Sequence, residues 1–88
     1  MVDMSHGNSS KQHKKQIEVC DNIASQIESG ETRITGVMIE SNIEEGNQKA
    51  DDLNNLTYGK SITDACINWQ DTKDCLHKLA DSVRIRNN

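Results

Sequence analysis

The chain has 88 residues, a formal net charge of −4, a hydrophobic content of 33% and two aromatic side chains, one Trp and one Tyr. A domain of this size buries only about 60% of the surface that its unfolded chain exposes, so we expect the chain to be part of a larger domain. The acidic balance disfavours a nucleic-acid partner, and the lack of a run of about 18 apolar residues disfavours a membrane partner. We therefore expect a soluble, cytoplasmic protein.

The first third of the chain predicts a strand followed by a helix. Apolar and polar residues alternate over residues 1–6, which predicts a strand. Residues 11–29 carry apolar side chains at three-to-four spacing, which predicts an amphipathic helix. Asn8 or Ser9 is the expected N-cap, and Gly30 stands just past the expected end.

The middle of the chain predicts two further strands separated by a loop. The apolar run at residues 34–39, closed by Glu40, is typical of a parallel strand that is buried on both faces. Residues 41–58 are polar and lack a sustained period, so they predict a long loop of the kind that often carries function. Residues 61–67 predict a short third strand.

The end of the chain predicts a second helix. Asp71 or Thr72 is the expected N-cap, and Arg84 and Arg86 near the far end suit the helix dipole. The order strand, helix, strand, loop, strand, helix predicts an α/β fold with a parallel sheet and right-handed crossovers. The expected buried stripe of the second helix consists of Leu76, Leu79, Ala80 and Val83.

Potential metal ligands follow each of the three predicted strands. His6, Glu40 and Asp64 stand near the carboxyl ends of these strands, which is where a parallel α/β barrel builds its active site. An imidazole with two carboxylates suits a borderline divalent ion such as Mn, Fe, Co or Zn. Since His6 must be neutral to bind a metal, low pH should weaken binding. The alternative is that the three are unrelated polar residues at loop edges.

Cysteine and lysine patterns predict ordinary structural roles. The three cysteines, Cys20, Cys66 and Cys75, show no Cys-x-x-Cys spacing, and we expect reduced, buried thiols.

Residues 59–61 read Gly-Lys-Ser like the end of a P-loop, but that motif requires a glycine where Asn54 stands. Three further lysines share one helical face, and the net negative charge favours a solvated surface there over a nucleic-acid site. These lysines are Lys11, Lys14 and Lys15.

Four motifs in a fixed order identify a family. They read VDMSHGNSSKQ at residues 2–12, GVMIES at 36–41, EGNQ at 45–48 and YGKSITDACI at 58–67. Together they closely resemble the carboxyl-terminal part of 3-deoxy-D-arabino-heptulosonate 7-phosphate (DAHP) synthase, the phospho-2-dehydro-3-deoxyheptonate aldolase family. The resemblance spans essentially the whole chain and points to the class that aromatic amino acids inhibit.

The resemblance implies a (β/α)8 barrel and a transferase reaction. Members of the family condense phosphoenolpyruvate with erythrose 4-phosphate and water, the first step of the shikimate pathway and of aromatic amino-acid biosynthesis. A divalent metal polarises the aldehyde of erythrose 4-phosphate in that mechanism. The family's metal ligands are a Cys, a His, a Glu and an Asp, and the last three match His6, Glu40 and Asp64. The Cys belongs to a segment upstream of Met1.

The same resemblance predicts that the 88 residues alone are inactive. The Arg and Lys residues with which the family holds two phosphorylated substrates match no position of this chain. The chain would then be the carboxyl-terminal segment, residues 1–88, of a single barrel domain whose full-length form is a homo-oligomer. The alternative is a truncated, noncatalytic chain that acts as an interaction module or is a residual gene product.

Overall fold

The computed structural model describes residues 1–9, 12–51 and 53–88. The described part contains helices and a two-stranded parallel sheet, in agreement with the α/β prediction. The elements in chain order are β1 (Val2–Asp3), α1 (His6–Ser9), α2 (Lys15–Glu28), β2 (Val37–Met38) and α3 (Trp69–Arg86).

The sheet pairs β1 with β2 in parallel, with Val2 opposite Val37 and Asp3 opposite Met38. The predicted parallel arrangement of the first two strands is therefore confirmed, although both strands are shorter than predicted. β1 ends because the chain turns into α1 at His6, where φ is +47°. All four strand residues are half-buried, so the prediction that the second strand is buried on both faces is wrong for this chain.

Residues 61–67 do not form the predicted third strand. They make isolated bridges with the preceding loop: Ile67 pairs with Ser41 in parallel, and Cys66 pairs with Gly46 in antiparallel orientation. Because the loop folds back on itself, the pairing partner changes along the segment and no continuous ladder develops. The bridge to Ser41 nevertheless places the end of this segment beside the chain that leaves β2.

Helix α2 begins later than predicted and ends where predicted. Its N-cap is Lys14, without a side-chain capping bond, so the expected caps Asn8 and Ser9 are wrong; Lys11 lies outside the described residues. At the other end, the Gly30 N–H donates to the Ile27 carbonyl, and the Glu31 N–H donates to the Gln26 carbonyl. With φ +105° at Gly30, these two bonds form a Schellman motif.

Helix α3 begins at Trp69, and its N-cap is Asn68 rather than Asp71 or Thr72. The Asn68 side chain accepts a hydrogen bond of 2.8 Å from the Asp71 N–H. Arg84 and Arg86 lie in the last turn, as predicted.

The buried face of α3 differs from the predicted stripe. Its buried residues are Thr72, Cys75 and Ser82, whereas Leu76 and Val83 are 49% and 36% exposed. The helix meets α2 through these small side chains, which allow a close approach. The predicted apolar stripe is therefore only partly confirmed, since Leu76 and Val83 are exposed whereas Leu79 packs against the core and Ala80 is half-buried.

Helices α2 and α3 lie side by side and run in the same direction. Cys20 and Cys75 form a disulfide with a Cα–Cα distance of 6.3 Å, so the prediction that both are reduced is wrong here, although both are buried as expected. Cys66 is a free, buried thiol. One turn along, Lys78 contacts Asp21 at 2.5 Å. The core between helices and sheet is formed by Met4, Cys20, Ile23, Ile27 and Cys75.

Many apolar side chains remain exposed. Both aromatic residues are among them, since Tyr58 is 88% and Trp69 is 58% exposed. Within the described ranges, no helix has the length and apolar character needed to cross a membrane.

Candidate metal centre

The three predicted ligands meet at one end of the sheet. His6, Glu40 and Asp64 each offer a ligand atom, and these atoms all lie within 4.8 Å of one another. The Nε2 atom of His6 is 3.5 Å from a carboxylate oxygen of Glu40 and 3.5 Å from one of Asp64. Two ligands bound at about 2.1 Å in tetrahedral geometry would lie about 3.4 Å apart, so this spacing and donor set fit a divalent metal ion.

Asp3 orients the His6 ring. Its carboxylate accepts a hydrogen bond of 2.8 Å from Nδ1 of His6, and its other oxygen accepts one of 2.8 Å from the Ser5 N–H. A neutral His6 therefore carries its proton on Nδ1, which leaves the lone pair of Nε2 directed toward Glu40 and Asp64. The left-handed backbone at His6 is uncommon for a non-glycine residue and belongs to the same turn.

The carboxylates raise the pKa of His6 above its ordinary value of 6.5. The largest cause is the hydrogen bond to Asp3, followed by the negative charges of Asp3 and Glu40. In return, the hydrogen bond to His6 lowers the pKa of Asp3. Without a metal, a proton on His6 compensates the clustered negative charge, so a cation that binds here competes with that proton.

Glu40 is held by both its backbone and its side chain. Gln16, which is fully buried in the first turn of α2, donates to the Glu40 carbonyl at 3.0 Å and accepts from the Glu40 N–H at 2.9 Å. The same carbonyl also accepts from the Ile67 N–H at 3.0 Å. The Ser5 hydroxyl donates to the Glu40 carboxylate.

Asp64 is the most exposed of the three, with a side chain 63% exposed against 21% for Glu40. Cys66 lies close by, and its thiol donates to the Asp64 carbonyl at 3.5 Å. Burial raises the pKa of the Cys66 thiol above its ordinary value. Cys66 is not one of the grouped ligands.

Three supporting residues were not predicted from the sequence. Asp3 precedes His6 by three positions, a spacing that gives a weak signal for a carboxylate–histidine pair. Ser5 and Gln16 give no such signal, because a serine beside a histidine and a glutamine in a polar helix are common in any sequence. Each of them reaches Glu40 only through the folded chain.

Known relatives match the chain along nearly its whole length. A model described as the DAHP synthetase I family matches residues 1–77. The Phe-sensitive phospho-2-dehydro-3-deoxyheptonate aldolase of Escherichia coli strain K12 is 55% identical over 98% of this chain and 25% of its own length. The Trp-sensitive aldolase of Buchnera aphidicola subsp. Baizongia pistaciae has the same identity and the same coverage.

A solved structure also matches the fold. The phospho-2-dehydro-3-deoxyheptonate aldolase of Francisella tularensis SCHU S4 superposes with a TM-score of 0.92 and 46% identity, over 98% of this chain and 25% of that one. The chain thus spans about a quarter of the length of the relatives that it matches. The match of the family model and the 55% identity together show that the chain belongs to the DAHP synthetase I family.

Proposed function

We propose that this chain is a segment of a transferase that condenses phosphoenolpyruvate with erythrose 4-phosphate and water to give DAHP and phosphate. This would be the first step of the shikimate pathway and of aromatic amino-acid biosynthesis. The observation that carries the proposal is the convergence of His6, Glu40 and Asp64 in a chain of this family. Residues 1–88 would form part of one (β/α)8 barrel, located in the cytoplasm and assembled as a homo-oligomer.

The grouped side chains would hold a divalent ion such as Mn, Fe, Co or Zn. Such an ion would supply Lewis-acid chemistry at the aldehyde oxygen of erythrose 4-phosphate. The chain's own contribution is to fix the ligands: Asp3 sets the tautomer of His6, and Gln16 and Ser5 hold Glu40. The exposed side of the cluster, at Asp64, leaves room for a fourth ligand from another segment.

The proposal also predicts that the chain is inactive by itself. Phosphate-binding Arg and Lys residues of the family match no position here, and one metal ligand would come from upstream. Substrate positioning and charge neutralisation supply much of the rate in reactions of phosphorylated substrates. We expect no phosphate release above background when the purified chain meets both substrates and Mn²⁺.

Complementation tests the proposal directly. The chain is mixed with a separately made protein comprising the part of the Escherichia coli relative that it does not match, and phosphate release from both substrates is measured with and without Mn²⁺. We expect Mn²⁺-dependent activity with the wild-type chain, and at least a 100-fold loss with His6→Ala or Asp64→Ala. His77→Ala, at an exposed histidine of α3, serves as the control and should retain activity.

Each outcome of the mixing experiment has a clear reading. Activity that is lost with the ligand variants and kept with His77→Ala supports the proposal. A mixture of soluble, folded partners that bind each other and remain inactive would contradict it, and would favour the noncatalytic alternative of an interaction module or residual product. Activity of the chain alone would contradict the predicted need for the missing segments.

A further inference from the structure

Among the described residues of α2, Gln16 is the only polar residue whose side chain is fully buried. A buried amide is costly unless its polar atoms are hydrogen-bonded. Both of its functional atoms are satisfied by a single residue, since Nε2 donates to the Glu40 carbonyl and Oε1 accepts from the Glu40 N–H. The Gln16 side chain therefore forms hydrogen bonds with both the carbonyl and the N–H of Glu40.

The two hydrogen bonds from Gln16 pair the Glu40 backbone at a point beyond the β1–β2 ladder. The ladder between β1 and β2 ends with the bond from the Met4 N–H to the Met38 carbonyl, so Glu40 lies beyond it. The Glu40 carbonyl, which accepts from Gln16, also accepts from the Ile67 N–H. Gln16 thus supplies the donor and acceptor that a neighbouring strand would otherwise offer, and it does so from the helix that follows His6.

We infer that Gln16 is a positioning residue that holds the Glu40 carboxylate in place for metal binding. The inference rests on the proposed metal function, and it adds a residue outside the ligand set. Groups that orient ligands typically change metal affinity by 10- to 100-fold when they are removed. Gln16 links three segments, because it joins α2 to the end of β2 at the same carbonyl that contacts Ile67.

The test compares two Gln→Met substitutions in the same helix. Gln16→Met keeps the approximate shape of the side chain and removes both bonds to Glu40, whereas Gln26→Met removes only a local bond to Asn22. Mn²⁺ affinity of the 88-residue chain is measured by the electron paramagnetic resonance signal of free Mn²⁺. The folded fraction of each variant is measured by circular dichroism and used to correct the affinity.

We expect Gln16→Met to bind Mn²⁺ about tenfold more weakly per folded molecule, and Gln26→Met to bind as wild type does. Equal corrected affinities of Gln16→Met and wild type would overturn the inference while leaving the metal site intact. Failure of the wild-type chain to bind Mn²⁺ would also overturn the inference, whereas the proposed function, in which another segment supplies a further ligand, is tested separately by the complementation experiment.

A measurement on the wild-type chain covers the case in which Gln16→Met does not fold. Hydrogen exchange reports whether the Glu40 N–H, which donates to Oε1 of Gln16, is protected by a hydrogen bond. We expect this amide to exchange at least 100-fold more slowly than an unstructured peptide amide. Exchange at the unstructured rate, in a chain whose β1–β2 amides are protected, would overturn the inference.

Discussion

The pairing of Asp3 with His6 makes the metal site sensitive to pH. The hydrogen bond of 2.8 Å to Asp3 is the largest cause of the raised pKa of His6, ahead of the charges of Asp3 and Glu40. A raised pKa in the folded chain means that the pair stabilises the metal-free protein fully below pH 6.5, and that this contribution is lost as pH rises through the folded pKa. Metal binding follows the opposite course, because it requires the neutral ring.

Replacing Asp3 with Asn should therefore lower the pKa of His6 toward its ordinary value. We expect Mn²⁺ affinity of the wild-type chain to begin falling at a pH above 6.5, and the fall in Asp3→Asn to begin at lower pH. NMR titration of the His6 ring protons in the metal-free chain gives the pKa, and Mn²⁺ titration at several pH values gives the affinity. Asp81→Asn on α3 is the control; an unchanged His6 pKa in Asp3→Asn would contradict the assignment.

The two long helices are joined by more than their packing. The Cys20–Cys75 disulfide closes a loop with a sequence separation of 55, and a cross-link of that span stabilises a fold by about 4 kcal/mol in the chain-entropy model. Two further contacts join α3 to α2 and to the residues that follow it. Lys78 forms an ion pair with Asp21, and the Arg86 guanidinium donates to the Glu31 carbonyl at 3.1 Å. The disulfide is thus one fixed point in an interface that also contains small, polar and apolar contacts, including Leu79 of α3 packed against the core.

A reductant should lower the stability of the wild-type chain through this disulfide. We expect dithiothreitol to reduce the free energy of unfolding by about 4 kcal/mol in wild type, and to have no effect on Cys75→Ser. Urea unfolding followed by circular dichroism measures both values. Cys66→Ser, at the free thiol, should respond to the reductant as wild type does. Identical unfolding curves for the wild type with and without reductant would contradict a disulfide between α2 and α3.

Local signals explain which parts of these elements were predictable. The end of α2 was predicted because Gly30 alone supplies the positive φ that a Schellman motif needs. The face of α3 was not, because the sequence offers two candidate faces and the choice depends on contact with α2. Leu76 and Val83 looked like core residues, yet Cys75 and Ser82 occupy the interface.

The candidate ligand residues could be predicted from the sequence, whereas the residues that support them could not. His6, Glu40 and Asp64 follow motifs of a known family, so their grouping was predictable and the structure brings them together, while their role as metal ligands stays a prediction. The third strand was not predicted correctly, since its pairing depends on how the preceding loop folds back. Gln16 was missed because a glutamine in an amphipathic helix usually faces solvent; only the tertiary structure shows it buried against Glu40.

The molecule as a whole leaves an apolar depression open to solvent. It lies between the ends of α2 and α3 and the start of β2, and it is lined mainly by apolar side chains. Val83, at its edge, is 36% exposed, and exposed apolar surface of this kind commonly marks an interface. If the chain is one segment of a barrel, as proposed, this depression is a natural contact for another segment. The lining includes Ile27, Ile34, Val37, Leu79 and Val83.

Val83→Asp should weaken association with the rest of the barrel without affecting the metal site. A carboxylate buried without a partner costs several kcal/mol, so we expect at least a tenfold loss of affinity for the complementing segment, measured by calorimetry. Mn²⁺ binding by the chain itself should stay unchanged, because Val83 lines the depression and the grouped ligands are His6, Glu40 and Asp64. His77→Asp adds a carboxylate at an exposed position of the same helix and controls for charge. Unchanged association in Val83→Asp would mean that the depression faces solvent in the assembled protein, and that the segments meet through a different surface.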